Sequence, residues 1–398
     1  MNHRLTIIYH QIFIIALAAL TACGHPARHR DTAPEALENA DTLPLSYARG
    51  FTVRTLPSGI RLVDIADPQS PEEQMPVSYH FALIPKALGE ESLISNLSSL
   101  NLDKYTPVPV PVERTIPMTM LQLSNFIALN ALDAITGITG TRNLFNADIR
   151  QRVKDRRIVK IGMEGNFDTE LILAADPEVI FISPFKRGGY DAIRETGITL
   201  IPHLGYKELN PLGQAEWMKF IALFLGREAE ADSLFSAIEH RYKDLCAQCS
   251  AMVSPNNIPT VFSGEMHGGN WYAVGGRSTL AQLFRDAGAD YVIKDDNTGG
   301  VNIEFEQLYS MAANADYWRI LNSFPGDFSY DALCASEPRN ELFRAFREHK
   351  VIYCNMKQTP YYELSPVQPD VLLADLIAVF HPELMPADYQ PTFYHLLK

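Results

Sequence analysis

Basic residues are scarce: 34 Lys and Arg face 47 Asp and Glu across 398 residues, a formal net charge of −13. That balance repels phosphate backbones and anionic surfaces, which excludes nucleic acid as a partner and a basic membrane-surface patch. Long apolar runs are scarce too. The main one, IFIIALAAL from Ile12 to Leu20, is too short for a comfortable bilayer span. No G-x-x-x-x-G-K-S/T, G-x-S-x-G or H-E-x-x-H occurs, which excludes a phosphate loop, a hydrolase elbow and a zincin helix. The loops that follow strands hold no tight cluster of histidines and carboxylates, so no bare metal ion is expected. No repeat of about 20 to 50 residues recurs, which removes solenoids and propellers.

Cysteine is rare, five in the chain, and its positions are informative. Arg4, the apolar run and Leu20-Thr21-Ala22-Cys23 read as a signal peptide, residues 1–22, ending in a lipoprotein cleavage box with Cys23 as the point of lipid attachment. Gly24 carries no inner-membrane retention signal, which leaves inner and outer membrane both open. Cleavage removes one base, Arg4, and no acid, so the mature chain holds 33 basic and 47 acidic residues, a net charge of −14. Residues 23–46 are polar, Ala/Pro-rich and aperiodic, as a lipid-anchored tether is. Secretion permits disulfides. Cys334 and Cys354 bracket a short segment whose closure would contribute about 3 kcal/mol. Cys246 and Cys249, in a helical pattern with no strand before them, read as a structural pair or free thiols rather than a redox motif.

Residues 47–104 form an N-terminal β segment: FTVRTLPSGIRLVDI and VSYHFALI alternate as a hairpin and a third strand do. Strand and helix alternate over residues 105–209, through VPVERTI, TMLQLSNFIALNALDAI, EVIFIS, GYDAIRETG and ITLIPH, which predicts a first lobe with a parallel sheet. Residues 210–252 read as a helical bridge. Asn210-Pro211 open a helix that stops at Gly226, and a second runs from about Arg227 to Gln248, about 33 Å long. Alternation resumes in residues 253–398, from TVFSG to DVLLADLIAVFHPEL, a second lobe. The expected fold class is α/β: two Rossmann-like lobes with parallel sheets joined by one long bridging helix, plus the small N-terminal β segment.

In that order VERTI, ALDAITGITG, GNFDTELILAADPEVIFIS, GITLIP, the bridging helix, WYAVGGRSTLAQLFRDAGADY and FEQLYSMAANAD resemble one family over about residues 105–385. It is the single-helix-bridged substrate-binding proteins of bacterial ABC importers for ferric siderophores, haem and vitamin B12. The resemblance implies a periplasmic, lipid-anchored, monomeric binding protein without cofactor or enzymatic activity. Its ligand would be an iron complex (ferric siderophore or haem) or cobalamin, held between the lobes and delivered to an ABC permease with a separate ATPase. It further implies that Glu170, in NFDTELILAADP, and Glu306, in IEFEQLYSM, dock on the permease. A first-turn carboxylate favoured by the helix dipole accounts for the same placement.

Ligands of open α/β sheets collect at the carboxyl ends of the strands, so the loops there supply the candidates. The first lobe contributes Arg114, Met163, Glu164, Asn166, Phe185, Arg187, Tyr190 and Tyr206; the second contributes His267, Trp271, Tyr272, Arg277, Lys357 and Tyr361. The aromatic rings suit stacking on a macrocycle or catechol, and Arg187, Arg277 and Lys357 suit an anionic chelate. GGNWYAVGGRS, residues 268–278, reads as a ligand-lining loop or as an ordinary hairpin, and the resemblance turns it toward the cleft. His267 is a candidate axial ligand for haem iron. Two rival functions stand beside the binding protein. One is a lipid-anchored chelatase-like enzyme using Glu164, Glu265 and His267 as acid-base groups; the other is a surface lipoprotein handing haem or cobalamin to an outer-membrane receptor.

Overall fold

A computed structural model describes residues 39–70, 77–89, 102–140, 142, 144–163, 166–184, 190–253 and 258–398. The expected signal peptide, Cys23 and most of the tether lie outside the described residues, as do the site candidates Glu164, Phe185 and Arg187.

Alternating apolar residues build an N-terminal sheet of β1 (Asp41–Thr42), β2 (Phe51–Thr55), β3 (Arg61–Ala66), β4 (Val77–Pro85) and β5 (Thr106–Val110). Pairing is antiparallel from β1 to β4, and β5 lies parallel to β4. The sequence reading counts β5 with the first lobe, but Val108 and Val110 are buried and complete this sheet instead. The next strands are β6 (Thr115–Pro117), β7 (Gly137–Ile138), β8 (Val159–Lys160), the hairpin β9 (Gly162–Met163) and β10 (Asn166–Phe167), β11 (Val179–Ile182) and β12 (Thr199–Pro202). β12, β11 and β6 are parallel neighbours, and a parallel bridge from Thr115 to Ile135 leads on to the β7–β8 pair.

The second lobe comprises β13 (Thr260–Ser263), β14 (Glu265–His267), β15 (Asn270–Val274), β16 (Asp290–Tyr291), β17 (Gly300–Ile303), β18 (Tyr317–Asn322), β19 (Val351–Asn355) and β20 (His395–Leu396). Its main sheet has the order β16-β13-β18-β19-β20, parallel except for β20; β14, β15 and β17 form a separate antiparallel sheet. Both lobes are therefore α/β with parallel sheets.

The chain passes between the lobes through two helices, Pro211–Leu225 and Glu228–Met252. Asn210 caps the first through its side chain and Pro211 occupies the first turn, as the sequence implies. That helix is apolar on nearly every face, with Trp217, Phe220, Ile221 and Phe224 all buried, which is the pattern of a helix enclosed on all sides. It packs against the N-terminal sheet, the first-lobe helix Met120–Ala128 and the second-lobe helix Pro369–Phe380. The longer helix spans 25 residues, about 37 Å, and lies along both the first helix and Pro369–Phe380.

The N-terminal segment is held by two carboxylates. Glu216 accepts the backbone N–H groups of Ser46 at 3.0 Å, Tyr47 at 2.8 Å and Ala48 at 2.8 Å. Glu208 accepts those of Arg49 and Gly50, each at 2.9 Å, and the Trp217 indole N–H at 2.8 Å. Both are buried. Burial raises the Glu208 pKa above its ordinary value, against the lowering effect of these donors. Gly50 is required here, because a Cβ would come within 2.6 Å of the Trp217 ring.

The pairing of Cys334 with Cys354 is not formed; both thiols are free. Cys354 is buried in β19, whereas Cys334 sits on the helix Tyr330–Ser336 with its sulfur 3.1 Å from Glu341 Oε1. Burial pushes the Cys354 thiol up to about 11. Cys246 and Cys249 are free as well.

Removing the Glu216 carboxylate strands three backbone donors, while the nearby Lys219 ammonium, 3.5 Å away, keeps its pairing with Asp232 at 3.2 Å. Glu216→Ala is expected to cost about 3 kcal/mol in urea unfolding. A loss well under about 1 kcal/mol would mean that the sheet is held mainly by its apolar face.

Candidate functional site

A cavity of about 430 Å³ opens where the two lobes meet the helix Pro211–Leu225. The first lobe supplies Leu121 and Tyr206, the helix supplies Gln214, and the second lobe supplies Val274, Ser278, Thr279, Leu280, Leu283, Thr298, Gly299, Gly300, Tyr361, Tyr362, Ser365, Pro366 and Leu372. Apolar walls alternate with hydroxyls and one amide, and none of the described lining side chains carries a formal charge. A volume of this size is within the ~300–1,000 Å³ typical of small-ligand pockets.

Each polar group is held by its own local structure. Tyr206 lies in the turn Gly205–Lys207 and donates its hydroxyl to Pro184 O at 3.0 Å. Burial pushes its phenol up to about 12, so it is a neutral donor. Ser278 caps the helix Thr279–Asp286 by accepting the Ala281 N–H at 3.1 Å. Thr279 donates to Glu208 O at 2.9 Å, tying that helix to the chain after β12. Tyr361 accepts from the Tyr394 hydroxyl at 3.1 Å, and Tyr394 in turn accepts from Arg319 Nε at 3.0 Å. Arg319 is only 7 % exposed, and among the described residues no carboxylate forms an ion pair with it. Two tyrosine hydroxyls thus lead from a buried cation to a residue of the cavity wall.

The lobes are also joined directly. Glu363, buried on the second-lobe helix Tyr361–Leu364, accepts the backbone N–H groups of Phe145 and Asn146 in the first lobe, the latter at 3.0 Å. Burial raises its pKa above the ordinary value, while the two N–H donors lower it.

Of the residues expected from the sequence, Tyr206 and Tyr361 line the cavity. Tyr272 is exposed on β15 with its ring against Gly300, where a Cβ would lie 3.2 Å from the ring, and so borders it. Arg277 is exposed beside Ser278, and Lys357 is exposed after β19. Trp271 does not face the cleft. GGNWYAVGGRS is a hairpin strand, and the two-residue period of β15 turns Trp271 and Ala273 inward and Tyr272 outward. Trp271 packs among Phe262, Trp318 and Phe343 and donates its indole N–H to Ser263 O at 2.9 Å. Gly264 permits this, at φ 106° with a Cβ position only 2.0 Å from Tyr272 O.

Arg114 precedes β6, at the amino end of the sheet, opposite the carboxyl ends where ligands collect; its guanidinium contacts Asp176, 3.3 Å away. Tyr190 is buried, stacked on Phe167 and donating to Ser183 O at 3.1 Å. Met163 and Asn166 lie on the exposed β9–β10 hairpin, and His267 is exposed at the end of β14. Glu170 and Glu306 each occupy the first turn of a short helix, Thr169–Ala174 and Phe305–Ala312. Gln214, Thr298, Arg319, Glu363 and Tyr394 escape the sequence reading. Only Arg319 leaves a signal, a single charge inside the apolar strand YWRIL.

Two parallel-sheet lobes, a helical crossover and a ligand-sized cavity between them define the class of two-lobed solute-binding proteins. The chain matches the periplasmic binding protein family over residues 120–357 and belongs to it. It is 27 % identical over 299 residues to an uncharacterized lipoprotein of Methanocaldococcus jannaschii, covering 71 % of this chain and 68 % of that one. Its fold is similar to a periplasmic haem binding protein from Pseudomonas aeruginosa, with TM-score 0.56 and 18 % identity over 72 % of this chain and 98 % of the other. It is similar as well to the periplasmic vitamin B12 binding protein BtuF of Vibrio cholerae, with TM-score 0.50 and 13 % identity over 69 % and 99 %.

Trp271→Ala is expected to destabilise the second lobe by about 3–5 kcal/mol, read from the denaturation midpoint. The Glu363 contribution follows its raised pKa: it is full below the ordinary carboxyl range and is lost as pH rises through the raised value. Wild type minus Glu363→Gln stability is therefore expected to fall as pH rises above the ordinary carboxyl range; a difference that grows with pH there would reverse the assignment.

Proposed function

We propose that the protein is an extracytoplasmic solute-binding lipoprotein, anchored through Cys23, that captures an iron complex (ferric siderophore or haem) or cobalamin in the cavity between its lobes. It then delivers this cargo to an ABC permease driven by a separate ATPase. The observation that carries the reading is the cavity itself. A ligand-sized space at the lobe junction, edged by Tyr206, Tyr272 and Tyr361, offers flat rings and hydroxyl donors to a large planar or amide-rich ligand. Membership of the periplasmic binding protein family supports a binding role, and the lipoprotein relative supports an anchored one.

Docking on the permease falls to Glu170 and Glu306. Exposed apolar side chains accompany both acids: Met163, Leu171 and Leu173 in the first lobe, and Tyr309, Met311 and Leu342 in the second. An acid among apolar contacts suits a partner surface with basic side chains.

Haemin, cyanocobalamin and a panel of ferric siderophores, titrated into the mature chain by equilibrium dialysis, test the reading. One class is expected to saturate at micromolar concentration or below, with Tyr361→Ala weakening binding by about tenfold. Absence of saturable binding across the panel would refute the cargo assignment.

A further inference from the structure

We propose that the N-terminal sheet is part of the ligand site, and that Gln69, just beyond β3, is a positioning residue that ties the two lobes at the edge of the cavity. The inference rests on the cavity being the ligand site. Asp67 builds the turn that presents Gln69. Its Oδ1 accepts the Gln69 N–H at 3.0 Å, its backbone carbonyl accepts the Ser70 N–H at 3.0 Å, and its other carboxylate oxygen pairs with the Lys207 ammonium. Pro68 is buried beside Gly50, the residue held by Glu208. The turn is thereby fixed to the core on one side and to the first lobe on the other.

From this base the Gln69 amide reaches both lobes. Its Nε2 donates to Lys207 O at 3.0 Å, and its Oε1 accepts from the Thr298 hydroxyl at 3.0 Å. Lys207 follows the wall residue Tyr206, and Thr298 is itself a wall residue. The two bonds require one donor and one acceptor on a single short group, which an amide supplies and a carboxylate or ammonium does not. Both bonds are solvent-exposed, whereas the direct lobe contacts through Glu363 and Thr279 are partly buried. Hydrogen bonds open to water yield more readily than bonds shielded from it. The Gln69 edge therefore yields first, and ligand exchange runs past it.

The test uses the full-length mature lipoprotein and two readouts: dissociation rates of haemin and cyanocobalamin, and amide hydrogen exchange at residues 297–301 without ligand. Gln69→Ala is expected to speed both about three- to tenfold with the thermal midpoint unchanged. Gln69→Glu keeps an acceptor for Thr298 but loses the donor to Lys207, and is expected to recover part of the effect. Thr298→Val added to Gln69→Ala is expected to change exchange no further, since Gln69→Ala has already removed the Thr298 bond. Unchanged exchange in Gln69→Ala, or full additivity with Thr298→Val, would overturn the tie. Faster exchange with neither probe bound would leave the tie standing and refute haem and cobalamin as the cargo. Faster exchange with unaltered probe dissociation would refute the exchange route.

Discussion

Five consecutive backbone N–H groups, from Ser46 to Gly50, end on two buried carboxylates, Glu208 and Glu216. Burying an acid is costly unless its oxygens are met by donors. Here the donors come from a segment some 160 residues away in sequence, the separations being 158 to 170. The helix that carries Glu216 is otherwise mostly apolar, so the N-terminal segment cannot leave without stranding a buried carboxyl group there. The N-terminal sheet is thus joined to the lobe junction by polar chemistry as well as by packing, and its position beside the cavity follows from that attachment.

The same economy governs the second lobe. Phe262, Trp271, Trp318 and Phe343 form one aromatic cluster, with ring centroids 4.8 to 6.0 Å apart. Trp318 donates its indole N–H to Gly264 O at 2.8 Å, and Trp271 donates to Ser263 O. These bonds fix the exit of β13 and hold the β14–β15 hairpin in a single register. Tyr272 is presented at the cavity edge because Trp271 is locked inside, since neighbouring residues of a strand face opposite ways. The polar wall is built in the same manner: the Tyr361 hydroxyl is oriented through Tyr394 by a buried guanidinium.

A tie between lobes has two consequences for a binding protein. It lowers the entropy lost when ligand is enclosed, because the walls are already placed, and it confines motion to whichever contact breaks most easily. Glu363 joins the lobes through two backbone donors, and the helix Tyr361–Leu364 packs on Met120–Ala128. Lobe separation of any size must break that contact, so large hinge opening is disfavoured relative to local release at an exposed edge.

By itself the sequence determined the alternation of strand and helix, the parallel lobes, the helical crossover and the capped start at Asn210-Pro211. All of these follow from local periodicity and local hydrogen bonding, which a short window contains. It also put Tyr206, Tyr272 and Tyr361 near the ends of strands, where the cavity is found. Tertiary structure alone decided which of two adjacent residues faces the cavity, because Trp271 and Tyr272 exchange roles with a one-residue change of register. It decided that Arg114 lies at the wrong end of its sheet, since β6 begins only after it. It brought together Gln69 with Thr298 and Glu363 with Phe145, separated by 229 and 218 residues. Such pairs leave no trace in local pattern, because a polar side chain on a loop reads the same whether it meets water or a partner from another lobe.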